Sequence, residues 1–117
     1  VILGAFGAHM LKEILSPEQL QSFETGVRYQ MFHGIVLVMI ALKGHSFHLP
    51  NEKTITTLFG TGILLFSVSI YFLNLQDFLG VSLKWLGPIT PIGGTLLIAG
   101  WALIFVGAIQ LVFKKKG

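Results

Sequence analysis

The chain has 117 residues, of which 53% are hydrophobic and only 11% are charged. A soluble domain carries about 25% charged residues, so this chain lacks the polar side chains needed to cover a water-exposed surface, and it is predicted to be a single membrane domain. The absence of cysteine excludes disulfides and cysteine-ligated metals. The net charge is only +3, and the sequence shows no basic face with polar or aromatic side chains that could contact bases. Nucleic acid is therefore not an expected partner.

The first predicted helix covers residues 1–14. Its uncharged run, Val1–Leu11, is shorter than the about 20 residues that a membrane-spanning helix requires. The run has neither the basic start nor the cleavage site of a signal peptide. We therefore expect a first helix that is truncated at its N-terminus, because the native start is expected to lie before Val1.

A helix start is predicted at Ser16. Serine caps a helix, Pro17 fits the first turn, and Gln19 completes a capping-box pattern. The residues that follow place apolar side chains on one helical stripe. This pattern predicts a short interfacial helix before the second span.

Three further spans are predicted, at residues 27–44, 54–75 and 92–113. The first of these depends on a 14-residue uncharged run between Arg28 and Lys43, and it spans if both charges extend to the interface. The other two lie in uncharged runs of 23 and 29 residues. Pro88 and Pro91 are expected to break the front of the last run, so that helix is predicted to begin near Ile92. With the first helix, these spans predict an all-α, integral membrane four-helix bundle.

The distribution of lysine and arginine predicts the orientation, because cytoplasmic flanks are enriched in positive charge. Five positive residues flank one membrane surface and three flank the other. The first surface is therefore predicted to face the cytoplasm of the cell membrane, together with both termini. The five are Lys43, Lys53 and Lys114–Lys116, and the three are Lys12, Arg28 and Lys84.

Small residues recur at helical spacing and predict close helix packing, because small side chains allow helix backbones to approach in lipid. The alternative interpretation is that the glycines bend helices or leave room for a ligand. In the last helix the spacing is seven residues, and the third repeats it in two pairs. The residues are Gly93, Gly100 and Gly107, Gly60 with Ser67, Gly62 with Ser69, and Gly4 with Ala8 in the first helix.

Five motifs in order carry a family resemblance: residues 4–9 (GAFGAH), 29–33 (YQMFH), 66–71 (FSVSIY), 90–94 (TPIGG) and 100–101 (GW). The chain resembles the YgdD/YwdK type of small bacterial membrane protein, number four-two-three among the domains of unknown function. The resemblance implies four membrane helices and no established reaction. Similar proteins usually carry further apolar residues before the first motif, and they usually have glycine where this chain has Met10 and Val68.

Polar residues from several motifs are predicted to meet near one membrane surface. His9 precedes Lys12 closely, and His33 lies about 7.5 Å beyond Arg28 at 1.5 Å per residue. Polar side chains inside a bilayer usually turn toward the bundle interior. The predicted cluster, which also offers a candidate ligand pocket, comprises His9, Tyr29, Gln30, His33, Ser67, Tyr71, Thr90, Gly93 and Gly94.

Three interpretations of this cluster remain open. The side chains could satisfy one another and fix the helix register, or they could form a ligand or ion pocket near the N–H groups of Gly93 and Gly94. Catalysis is not expected, because no carboxylate falls inside a predicted span. No metal or cofactor is expected either, because His9 and His33 are too few for zinc, and His45 and His48 belong to the opposite surface.

The leading hypothesis is a structural or accessory membrane protein whose partners are the lipid bilayer, copies of itself or other membrane proteins. The alternative is a small-molecule, lipid or proton-linked transport or binding module that uses the cluster, since histidine titrates near neutral pH. A weaker alternative is a haem- or quinone-binding electron carrier.

Overall fold

The computed structural model describes residues 1–44, 46 and 48–114, so His45 and the last two lysines of the predicted tail lie outside the described residues. A π-helical turn joins α3 and α4 into one rod, and short 3-10 turns precede α2 and α5. Three of the four resulting rods are long and apolar enough to cross a membrane. The predicted all-α helix bundle is confirmed. The elements are α1 (Ile2–Ala8), α2 (Pro17–Leu42), α3 (Glu52–Ile63), the π turn (Leu64–Val68), α4 (Ser69–Leu79) and α5 (Ile89–Lys114).

The first helix is much shorter than predicted. Its seven residues reach only Ala8, and the chain then turns through His9 into a 3-10 turn at Leu11–Glu13. This change of direction brings Leu11 and Leu15 into a buried cluster with residues of α2 and α4. A helix continued to residue 14 would give up this arrangement, so tertiary packing overrides the apolar pattern here.

The predicted capping box is confirmed, but the short interfacial helix is not a separate element. The Ser16 N–H donates to Gln19 Oε1 at 2.9 Å, and the Gln19 N–H donates to Ser16 Oγ at 3.2 Å. From this cap α2 continues for 26 residues into the second predicted span. Its only glycine before Tyr29 is Gly26, and a single glycine weakens a helix without breaking it.

The last helix begins at Ile89, three residues before the predicted start near Ile92. Pro88 directly precedes the helix, and Pro91 is its third residue. The first four N–H groups of an α-helix have no intrahelical acceptor, so a proline in the first turn removes no hydrogen bond. Pro91 therefore lies inside the first turn of α5 and does not shift the start of the helix to Ile92.

Two buried apolar clusters hold the rods together. One lies toward the α2–α3 connection, where a salt bridge of 2.7 Å joins Lys43 Nζ to Glu52 Oε2. The other lies toward the α1–α2 connection. The first cluster comprises Ile40, Leu49, Ile55, Phe59 and Leu97, and the second Leu11, Leu15, Phe23 and Tyr71.

Candidate functional site

The closest helix contact joins α5 to α3 and the π turn. A Cβ atom added to Gly93 would collide with the backbone nitrogen of Phe66 and would lie 2.7 Å from the carbonyl carbon of Leu65. One Cβ at Gly62 would lie 2.6 Å from Leu97 Cδ2, and one at Gly100 would lie 2.5 Å from the Phe59 ring. The glycines at these three positions allow the rods to approach at backbone distance.

The other predicted packing residues differ from one another. Cβ atoms added at Gly107 and Gly4 would meet Pro50 and Val27 at ordinary distances of 3.4 and 3.7 Å. One added at Gly94, which was predicted for the ligand pocket, would lie 3.5 Å from Phe66. A Cβ at Gly60 would meet nothing within 4 Å, and Ala8 is exposed. Ser67 lies within the π turn, which changes the helical phase after Gly60, so seven-residue spacing does not place these two on one face.

Both ring nitrogens of His33 have partners, one in α2 itself and one in α5. Nδ1 lies 2.7 Å from the carbonyl oxygen of Tyr29, and Trp101 Nε1 donates to Nε2 at 3.0 Å. A carbonyl only accepts and an indole N–H only donates, so these partners select the neutral tautomer that carries its proton on Nδ1. The imidazole is 5% exposed and packs edge-on against Phe59 and Trp101.

Two further hydrogen bonds of the predicted cluster residues join α2 to the rod of α3 and α4. The Tyr71 hydroxyl donates to Gln30 Oε1 at 2.6 Å. Ser67 is fully buried and donates to the Gly26 carbonyl at 2.8 Å. A Cβ at Gly26 would lie 2.8 Å from the Tyr71 ring, so this glycine lets α2 approach the residues that it binds.

A hydroxyl pair joins α4 to the start of α5. Ser69 Oγ lies 2.7 Å from Thr90 Oγ1, and it also lies 2.6 and 2.9 Å from the carbonyl oxygens of Leu65 and Phe66. Because the serine hydroxyl has one hydrogen and carbonyls only accept, Ser69 donates to its own helix and Thr90 donates to Ser69. The pair lies one turn of α5 before the Gly93 contact.

The predicted cluster therefore divides into three separate helix contacts, and His9 joins none of them. His9 follows the end of α1, is exposed, and has no side-chain hydrogen bond among residues 1–44, 46 and 48–114. Tyr29 is 42% exposed and packs its ring 4.8 Å from that of Phe66. The backbone of the π turn packs directly against Gly93, one of the two glycines beside which the ligand pocket was predicted.

Sequence reasoning missed several partners of the predicted residues. Trp101 belongs to a recognised motif, yet it was not predicted as the partner of His33. A tryptophan deep in an apolar run has one N–H that needs an acceptor, which is the signal that could have identified it. Asn74 is also buried, and it donates to Ser22 Oγ at 3.0 Å. Ser22 lies on α2, so the beginning of α2 and the end of α4 share a polar contact.

These contacts leave few polar atoms of the cluster available to bind a ligand or a metal. Within the described part of the chain, every buried side-chain nitrogen and oxygen has a hydrogen-bond partner. Both nitrogens of His33 are engaged by protein groups, so a metal or haem iron would have to displace Tyr29 or Trp101. Over the same residues, no three histidine or acidic side chains are placed to share a metal ion. The arrangement holds helices together.

Comparison with known proteins identifies relatives along nearly the whole chain. A family model described as "Protein of unknown function (DUF423)" matches residues 3–94. The UPF0382 inner membrane protein YgdD of Escherichia coli is 36% identical over 124 aligned positions, covering 100% of this chain and 84% of the relative. No solved structure matches.

Two further relatives carry membrane names as well. The UPF0382 membrane protein YwdK of Bacillus subtilis is 38% identical, with 92% of this chain and 85% of the relative covered. The UPF0382 membrane protein SH2409 of Staphylococcus haemolyticus is also 38% identical, with 93% and 84% covered. Together with the three long apolar helices, these matches show that the chain is a membrane protein and belongs to the DUF423 family.

Proposed function

We propose that the protein is a structural or accessory membrane protein whose buried polar side chains fix how its helices pack. The observation that carries this proposal is the engagement of both His33 nitrogens, one by α2 itself and one by Trp101 of α5. A histidine that carries protons or binds a ligand needs a nitrogen that can exchange partners. His33 has the arrangement of a fixed link between two helices.

A double-mutant cycle tests this role. We expect Trp101→Phe and His33→Phe each to lower the free energy of unfolding in detergent, and the double variant to lose about 1 kcal/mol less than the sum of the two, because interhelical hydrogen bonds in membrane proteins have about this strength. Unfolding is followed by circular dichroism during titration with sodium dodecyl sulfate. Phe113→Leu is the control, because Phe113 is 69% exposed on α5 and its change should have little effect.

The outcome separates the structural role from the alternatives. Additive losses would show that His33 and Trp101 do not act as one unit and would contradict the proposed link. Unchanged stability in all three variants would do the same and would favour a ligand or transport role. An absorbance spectrum of the protein purified from cells tests the haem alternative directly, since bound haem absorbs strongly in the Soret region.

We further propose that α2, the α3–α4 rod and α5 each cross the membrane. Lys43, Lys53 and Lys114, which two further lysines follow in the sequence, then flank one surface. Lys12, Arg28 and Lys84 flank the other, which also holds the 80–88 connection. The excess of positive charge favours a cytoplasmic location for the first surface and for the end of α5. A cytoplasmic N-terminus stays a prediction, since the seven residues of α1 extend only about 10 Å.

The absence of native cysteine allows a direct test of this topology. We expect Ser82→Cys to react with a membrane-impermeant maleimide in intact cells, because residue 82 lies in the outer connection. Lys53→Cys should react only after permeabilisation, since it lies at the start of α3 on the cytoplasmic side. The reverse pattern would invert the orientation, and labelling of both in intact cells would contradict three crossings.

The proposed partner of the exposed apolar surfaces is the lipid bilayer. On α5, Ile98 is 71% exposed, Phe105 67% and Phe113 69%, and side chains of this kind are compatible with acyl chains. Copies of the same chain or other membrane proteins are further proposed partners of these surfaces.

A further inference from the structure

A second feature lies away from the polar contacts, between the π turn, α4 and the segment that returns to α5. It is a cavity of about 500 Å³, within the range of about 300–1,000 Å³ that is usual for ligand sites. One wall is formed by the rod and the other by residues 79–89. The lining includes Leu65, Val68, Ser69, Phe72, Leu83 and Trp85.

The chemistry of the lining selects an apolar occupant. Its only polar side-chain groups are the Ser69 hydroxyl and the Trp85 indole N–H, and the Ser69 hydroxyl already contacts two carbonyls and Thr90. A lining with so few polar partners is a poor site for ordered water. Phe72 and Trp85, on opposite walls, are 46% and 65% exposed, so the cavity opens on the outer surface of the bundle.

A cation stands next to the lining of the cavity. Lys84 is exposed and lies between two lining residues, Leu83 and Trp85. It lines a neighbouring polar depression that also contains Asp77, whose carboxylate accepts a hydrogen bond from Gln19 Nε2 at 3.2 Å. Tryptophan and lysine typically lie at the level of lipid head groups, so an apolar chain in the cavity would have its polar end beside Lys84.

We propose that this cavity binds one acyl chain of an anionic phospholipid whose phosphate pairs with Lys84. The site is independent of the His33 link, and it rests on the proposed topology only for its depth in the membrane. The ligand differs from bulk lipid because the 79–89 segment covers the chain from a second side. Binding is expected to survive extraction into detergent, in which bulk lipid is lost.

The experiment measures lipid retention by native mass spectrometry. The full chain is purified in mixed micelles that contain equal amounts of dioleoyl phosphatidylglycerol and dioleoyl phosphatidylcholine. We expect one bound phosphatidylglycerol in the wild type, and loss of most of it in Val68→Phe, because the larger ring fills the cavity. Val106→Phe is the matched control, since Val106 lies on α5, outside the lining, and is 48% exposed.

Two further variants make the result specific. Leu83→Phe fills the cavity from the opposite wall and should lose the lipid even if Val68→Phe disturbs the π turn. Lys84→Gln should lower the preference for phosphatidylglycerol over phosphatidylcholine about fivefold, as expected for one lysine near a lipid phosphate. Lys53→Gln, a change at an exposed lysine on the other surface, should leave the preference unaltered.

Specific results would overturn the proposal. Equal lipid retention in Val68→Phe, Leu83→Phe and Val106→Phe would show that only bulk lipid was carried along. Equal preference in Lys84→Gln and the wild type would show that Lys84 does not select the anionic lipid. Either result would leave the proposed function standing, because that depends on the stability of the His33–Trp101 link and on labelling of the two surfaces.

Discussion

Replacing Gly93 with alanine is expected to lower the free energy of unfolding by about 3 kcal/mol, the upper part of the usual cost of overpacking. The new methyl group would collide with the backbone of Phe66 and lie 2.7 Å from the Leu65 carbonyl carbon. A side chain could rotate away, but backbone atoms cannot, so α5 would have to separate from the π turn. The measurement is unfolding by sodium dodecyl sulfate, followed by circular dichroism.

Gly60→Ala is the matched control for this prediction. It makes the same substitution on the partner rod, at a glycine whose added Cβ would have no neighbour within 4 Å. Alanine is the better helix former by about 1 kcal/mol, so this variant should be as stable as the wild type or more stable. Similar losses in both variants would show that the α5–π-turn contact is not as close as the structure has it.

Replacing Phe59 with alanine is expected to cost about 3 kcal/mol, at the lower end of the range for buried phenylalanine in soluble proteins. Phe59 is fully buried, and its ring lies 5.2 Å from the centroid of His33 and 5.4 Å from that of Trp101. Removal of the ring leaves a void against Gly100, which has no side chain to fill it. The lower value is expected because the phenylalanine ring is also in apolar surroundings in the unfolded state, where detergent covers it.

Phe105→Ala provides the comparison on α5. Phe105 is 67% exposed on the outer surface, where detergent or lipid surrounds it in both states. We expect its loss to change stability by less than about 0.5 kcal/mol, as is usual for surface positions. A loss at Phe105 equal to that at Phe59 would indicate that the outer face of α5 is buried against a second chain. No loss at Phe59 would contradict the described core.

The two sets of variants also distinguish the forces that hold the bundle. Gly93 and Phe59 report on packing, whereas His33 and Trp101 report on a hydrogen bond of about 1 kcal/mol. Within a bilayer the hydrophobic effect does not drive helices together, so packing contacts are expected to contribute most. We therefore expect the glycine and phenylalanine variants to lose more stability than the single Trp101→Phe variant.

Local and compositional features could be predicted from the sequence. The shortage of charged residues indicates a membrane class because it leaves no means of covering a water-exposed surface, and long uncharged runs indicate helices because a bilayer core accepts few other backbone structures. The cap at Ser16 was predictable because its hydrogen-bonding partners, Ser16 and Gln19, are only three positions apart along the chain. The order of the five motifs also predicted the DUF423 family.

Pairing between distant residues could not be predicted in the same way. Trp101 and His33 are 68 positions apart, and their contact depends on the rotation of two helices about their axes. Gly60 and Gly62 both belong to the seven-residue pattern of small residues, yet only Gly62 contacts α5. The rotation of α3 about its axis and the π turn decide which face of the rod α5 covers. His9 leaves the cluster for a related reason, since α1 ends at Ala8 to bury Leu11 and Leu15.

The sequence by itself determined that this protein is an all-α membrane protein, because composition and apolar run length depend on no distant contact. Only the tertiary structure decided which polar groups meet, which glycines allow close approach, and that an apolar cavity lies beside Ser69. Each of these depends on angles and separations between rods, and those arise from the sum of many packing contacts rather than from any local pattern.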